Sequence, residues 1–124
     1  MLAGFSTSQA SEPLIATEQQ KIRVRTVASG LEHPWSVAFL PDGRFLVSER
    51  PGRLRVISAE GVVSAAPVAG LPRVHSAGQG GLLDIVLHPK FAQNQWVYLS
   101  YSGGDASGAS TEVARGRWVS DSQG

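Results

Sequence analysis

The chain contains no cysteine, which excludes disulfide scaffolds, thiolate zinc sites and cysteine nucleophiles. Exported bacterial enzymes often lack disulfides as well, so this absence leaves the compartment open. No apolar run approaches the ~20 residues of a membrane-spanning helix, and no membrane span is expected. Charge of one sign is scarce too: eleven Lys and Arg against ten Asp and Glu give a formal net charge of +1. The basic residues are scattered, so neither nucleic acid nor an anionic membrane meets a directing field. Room for helices is also lacking. Fourteen glycines and seven prolines break every window, and β-branched and aromatic residues fill the gaps.

What remains reads as strands. The first twenty residues, "MLAGFSTSQASEPLIATEQQ", are small, polar and patternless, and are expected to be a disordered leader or the remnant of an export signal. From Lys21 the pattern changes. "KIRVRTVAS" alternates with a period of two, as an edge strand does. "HPWSVAFL", "RFLVSER", "RLRVISA" and "VVSAAPVAG" follow, separated by Pro41-Asp42-Gly43, Pro51-Gly52 and Glu60-Gly61, residues that supply the backbone angles of tight turns. An antiparallel meander of four strands is predicted.

The order then starts again. "GGLLDIVLHPKFAQNQWVYLSYS" repeats "HPWSVAFLPDGRFLVSERPG", and Pro89 stands where Pro41 stood, 48 residues on. That offset falls in the ~40–50-residue period of propeller blades. The first strand of each unit ("WSVAFL", "LLDIVL") is apolar on both faces, as an inner strand between neighbouring sheets must be. The third ("RLRVIS", "EVARGRW") carries charge, as suits a strand nearer water. "SGGDASGAST" is expected to be a loop. The fold class is therefore all-β: about one and a half four-stranded blades of a β-propeller spanning residues 21–124. Propellers need more blades than this, so the chain is read as a piece of a longer protein. Expressed alone, it is expected to associate or precipitate through wet blade faces and an unpaired strand edge. Sedimentation checks this, and a monodisperse, cooperatively melting monomer would contradict it.

Few residues invite chemistry. "GQGG" at 78–81 lacks the spacing of a dinucleotide fingerprint and the Lys-Ser/Thr of a P-loop, and a strand follows it where a phosphate site needs a helix. Gln79 sits at the tip of a loop entering an inner strand. Its uncharged amide suits a polar neutral ligand such as a sugar, with a purely structural turn as the alternative. His33 and His88 precede prolines at strand ends and read as turn residues, whereas His75 leads towards Gln79 and could line a pocket mouth. Without Asp or Glu clustered beside them, no metal site is expected. Glu49 and Arg50 read as an ion pair between turns, or as channel-facing. Trp35, Trp96 and Trp118 are expected to pack between blades. Asp84, inside an apolar strand, needs partners, and loop backbone amides are the expected ones.

"GLEHPWSVAFLPDGRFLVSERPGRLRVI", "GLPRV" and "GQGGLLDIVLHPKFAQNQWVYLSYS" together resemble the N-terminal part of the glucose/sorbosone dehydrogenase family, over roughly residues 21–119. The most specific stretch is Gly78–Phe91. The resemblance implies a six-bladed propeller, the cofactor pyrroloquinoline quinone (PQQ) with supporting calcium, an aldose substrate oxidised at C1, an external electron acceptor, and a periplasmic or secreted location. It places Gln79 at the rim of the active site, beside quinone and sugar, with the glycines letting its turn reach the cofactor edge. The family's general-base histidine, its basic partners for the PQQ carboxylates and its calcium loop find no match before Gly124, so no catalytic or metal residue is assigned. A propeller used only for binding carbohydrate or protein, and a calcium-dependent lactonase, are the rival expectations.

Overall fold

The computed structural model describes residues 12–120, so the first eleven residues of the expected leader lie outside the described chain. The rest of that stretch is not patternless. Strand β1 (Leu14–Ala16) pairs antiparallel with β2 (Lys21–Arg23). The turn between them is closed by Thr17, whose hydroxyl donates to the Gln20 carbonyl (2.7 Å) and accepts the Gln20 N–H (3.1 Å).

Two three-stranded antiparallel sheets follow. β3 (Pro34–Phe39), β4 (Phe45–Glu49) and β5 (Arg53–Ile57) form the first, in that order. β6 (Leu82–Leu87), β7 (Trp96–Asp105) and β8 (Gly108–Arg117) form the second. A one-turn helix, α1 (Phe91–Asn94), occupies the long loop between β6 and β7, with Phe91 buried beneath it. Among the described residues no helix is long and apolar enough to cross a membrane. Of the four strands expected in the first unit, three form. "VVSAAPVAG" contributes a single bridge, Ile57 to Val63, and Pro67 has no N–H to extend a ladder. The predicted loop "SGGDASGAST" is instead a hairpin: β7 and β8 stay paired to Asp105 and Gly108. Its turn is fastened by Asp105, whose carboxylate accepts the Ser107 N–H at 2.8 Å.

The sequence repeat reappears as a repeat of hydrogen bonds. The register slips near the start of each inner strand, between Pro34 and Ser36 against β4 and between Leu82 and Ile85 against β7. A bulge strands a backbone N–H, and in both sheets a serine on the second strand takes it. Ser48 Oγ accepts the Ser36 N–H (3.1 Å), and Ser100 Oγ accepts the Asp84 N–H (3.0 Å). Just outside each bulge the Arg50 N–H donates to the His33 carbonyl, as the Ser102 N–H does to the Gly81 carbonyl.

The two sheets meet through their inner strands, the arrangement of adjacent propeller blades. Leu46 and Leu82 are fully buried at the centre, surrounded by Ala38, Leu40, Leu54, Ile85, Val97 and Leu99. Polar bonds stitch the same seam. The buried Ser48 hydroxyl donates to the Leu83 carbonyl at 2.6 Å, the Leu82 N–H donates to the Arg50 carbonyl at 2.9 Å, and the Ser36 hydroxyl donates to Asp84. Asp84 is thus exposed and held by a hydroxyl and its neighbour's N–H, not by amides of the adjoining loop. The outer face of β3 leaves Trp35 54% and Phe39 68% exposed, so Trp35 does not pack between the two described sheets. That face is the surface on which the expected self-association rests.

Candidate functional site

The glycine segment is built around one tight turn. The Gly80 N–H returns to the Ala77 carbonyl at 2.8 Å, which makes Gly78 and Gln79 its two central residues. Gly78 has φ +56°, the left-handed value that a mirror-image turn requires at its first central position. Gln79 therefore stands at the tip. It is exposed, and its side chain makes no hydrogen bond to any described residue.

The turn is held from two sides. From β7, the Ser102 hydroxyl accepts the Gly81 N–H (3.1 Å) and the Ser102 carbonyl accepts the His75 N–H (2.8 Å). From the first sheet, the Arg50 guanidinium donates to the Gly78 carbonyl at 2.7 Å. Glycine is needed because these approaches are close. A Cβ on Gly80 would meet Ser102 Oγ at 2.6 Å, and one on Gly81 would land on the Arg50 carbonyl oxygen. The glycines thus admit neighbouring backbone and side chain, and what they present outwards is the Gln79 amide.

The other sequence candidates separate. His75 is half-buried on the approach to the same turn, and Asp105 at the hairpin tip is held below the ordinary carboxylate range, chiefly by the Ser107 hydroxyl with a smaller contribution from His75. His33 lies at the start of β3 with φ +47° and serves Arg50 through its carbonyl. His88 is at the opposite end of β6, where its Nδ1 accepts the Lys90 N–H at 2.9 Å and its ring stacks on Tyr98. Both act as turn residues.

Glu49 and Arg50 do not pair. Glu49 is 1% exposed and accepts from the Glu32 N–H (2.6 Å) and Arg53 Nε (2.7 Å), with Arg55 Nη1 3.6 Å away. Burial pushes its carboxyl up; the Glu32 N–H and the two guanidiniums outweigh burial and hold it below the usual range. Trp96 lies under Arg115 and Arg117 (4.1 and 4.9 Å), and Trp118 packs on the core beneath Arg44. A cleft of about 330 Å³ between Leu54, Leu71, Leu99 and Trp118 includes neither Gln79 nor His75. Sequence reasoning missed Arg50 and Ser102 as supports of the turn, since neither matches a motif.

PQQ is a planar ortho-quinone bearing three carboxylates. The exposed Gln79 amide, with two donors and an acceptor unused by any described residue, has chemistry compatible with a quinone oxygen, and the Arg50 guanidinium has no carboxylate within ion-pair distance among the described residues. Calcium is different: among the described residues no three His, Asp or Glu side chains gather, so no ligand for it is assigned here.

The family model described as glucose/sorbosone dehydrogenase matches residues 31–124. Aldose sugar dehydrogenase YliI of Escherichia coli (strain K12) is 46% identical over 102 residues, covering 81% of this chain and 27% of that protein. The crystal structure of the soluble aldose sugar dehydrogenase from Escherichia coli in the apo-form superposes with a TM-score of 0.65 at 49% identity, over 70% of this chain and 25% of that one. The PQQ-bound aldose sugar dehydrogenase of Streptomyces coelicolor also gives 0.65, at 34% identity, over 74% and 26%. The chain spans about three-tenths of the length of the curated relatives it matches, and its two sheets form part of their propeller. On the match across residues 31–124, the chain belongs to the glucose/sorbosone dehydrogenase family.

Proposed function

We propose that the whole protein carrying these residues oxidises aldose sugars at C1 to the lactone with PQQ, passes the electrons to an external acceptor, and works in the periplasm or outside the cell, with calcium supporting the cofactor. The observation that carries this reading is the Gln79 amide, exposed, without a hydrogen-bond partner among the described residues, and held at the tip of the turn that leads into an inner strand. The similarity to aldose sugar dehydrogenases, one of them PQQ-bound, supports the choice of ligand. When bound, PQQ supplies the acceptor for the hydride leaving C1.

Gln79 would donate to a quinone or sugar oxygen and orient the ring without adding charge. No residue of this chain is assigned to take the hydroxyl proton, and the 124 residues alone are expected to turn over no sugar. The test is reconstitution of the whole protein with PQQ and calcium, followed by dye reduction across an aldose panel. Gln79→Ala is expected to lower kcat/KM by about tenfold to a hundredfold, the loss of one or two oriented hydrogen bonds. No reduction of dye by any aldose would remove the oxidoreductase reading.

A further inference from the structure

The tip of the Gln79 turn has one side chain holding it. Its base is sewn to β7 through Ser102, but among the described residues the only side-chain hydrogen bond to positions 77–80 is Arg50 Nη1 to the Gly78 carbonyl. That carbonyl and the Gln79 N–H are opposite ends of one planar peptide group. Rotation of this peptide interconverts the two mirror-image turn types. The alternative would carry Gln79 to a positive φ, which a residue with a Cβ disfavours about five- to thirtyfold, a gap small enough for an unclamped turn to sample. A donor locked on the carbonyl stops the rotation. It thereby fixes φ of Gln79 and the direction in which its Cβ leaves the backbone.

Arg50 is itself well anchored for the task. Its N–H donates to the His33 carbonyl and its own carbonyl accepts the Leu82 N–H, so the clamp is referred to both inner strands. Among the described residues its charge meets no carboxylate, and its Nε is buried without a hydrogen-bond partner. Keeping such a guanidinium half-buried is costly for a fold that needs only packing at that place.

We infer that Arg50 is a positioning residue: its guanidinium holds the Gly78–Gln79 peptide so that the Gln79 amide meets the cofactor edge in a single orientation. The inference rests on the assignment of Gln79 to that edge. It reaches further, in that one sheet sets the ligand-facing group of the next.

The test uses the whole protein with four variants: Arg50→Met, which keeps the stem and removes the donors, Arg50→Lys, which restores one donor, Gln79→Ala, and Arg50→Met combined with Gln79→Ala. Hydrogen exchange of residues 77–82 is compared with that of β7, and PQQ affinity is measured by titration alongside kcat and KM for glucose. Arg50→Met is expected to speed exchange at 77–82 at least about fivefold with β7 unchanged, and to weaken PQQ binding about five- to tenfold, the loss of one charge-assisted hydrogen bond. Arg50→Lys should recover part of both. In the Gln79→Ala background, Arg50→Met should change PQQ affinity less than about twofold, because its effect runs through the amide.

Unchanged exchange at 77–82 in Arg50→Met overturns the clamp. So do additive losses in the double variant, which are the mark of a general structural role. If Gln79→Ala keeps normal PQQ affinity and glucose kinetics while Arg50→Met still loosens the turn, the assignment of Gln79 is overturned, and the clamp then has no cofactor to serve.

Discussion

Gly81→Ala is expected to destabilise the whole protein by about 3 kcal/mol or more and to displace the turn bearing Gln79. At φ +155° the added Cβ would land on the Arg50 carbonyl oxygen, and neither side can give way. The Arg50 carbonyl is held by the Leu82 N–H and its own N–H by His33, while Gly81 is tied at both backbone groups to Ser102. Overpacking against immobile backbone costs about 1–3 kcal/mol, and the backbone strain adds about 1–3 more. Gly70→Ala is the control. It shares a left-handed φ of +82°, but its Cβ would meet nothing within 4 Å, so it should lose only about 1 kcal/mol. Urea denaturation of the two variants gives the comparison. Equal losses would mean that the approach of Arg50 to Gly81 is not a tight one.

The second large effect belongs to Glu49. Glu49→Ala should cost about 3 kcal/mol, because it leaves the Glu32 N–H and Arg53 Nε without their acceptor and the half-buried Arg55 guanidinium without its counter-charge. Much of that cost is the penalty on the groups left behind, so Glu49→Gln, which keeps the shape and one acceptor oxygen, should lose less. The pH dependence has a definite sign. The folded carboxyl is held below the ordinary glutamate range, so its stabilisation is complete above the unfolded value of about 4.3 and fades as pH falls through the lower folded one. Stability curves of the native protein and Glu49→Gln should therefore lie apart at pH 7 and converge below about pH 4. Curves that stay parallel into acid would show that the charge of Glu49 contributes nothing.

Strands β3 to β6 were legible because their apolar residues and bounding Pro-Gly turns stand in the sequence itself. β7 and β8 were legible in part, but not their extension as a hairpin through the stretch expected to be a loop. The inward positions of β7 run Val97, Leu99, Tyr101 and Gly103, all buried, and the last is a glycine that no hydrophobic pattern registers. The period of two was present; its fourth member had no side chain to show it. The Glu49 cluster was misread for a related reason. Glu49 and Arg50 are neighbours in sequence, but successive residues at a strand end diverge, and the turn at Pro51-Gly52 places Arg53 directly opposite Glu49. Turn length held the better clue. Gln79 was legible as an exposed amide between glycines, whereas its supports came from places 28 residues before it, counted from Arg50 to Gly78, and from a serine on β7.

Ser36 and Asp84 stand 48 residues apart, the same offset as Pro41 and Pro89. Two like positions in successive units are thus bound to each other directly. Such a bond sets the second wedge level beside the first, with no step along the hub. A slip of two residues at that one contact would turn the level ring into a spiral stair, whose first and last treads could never meet.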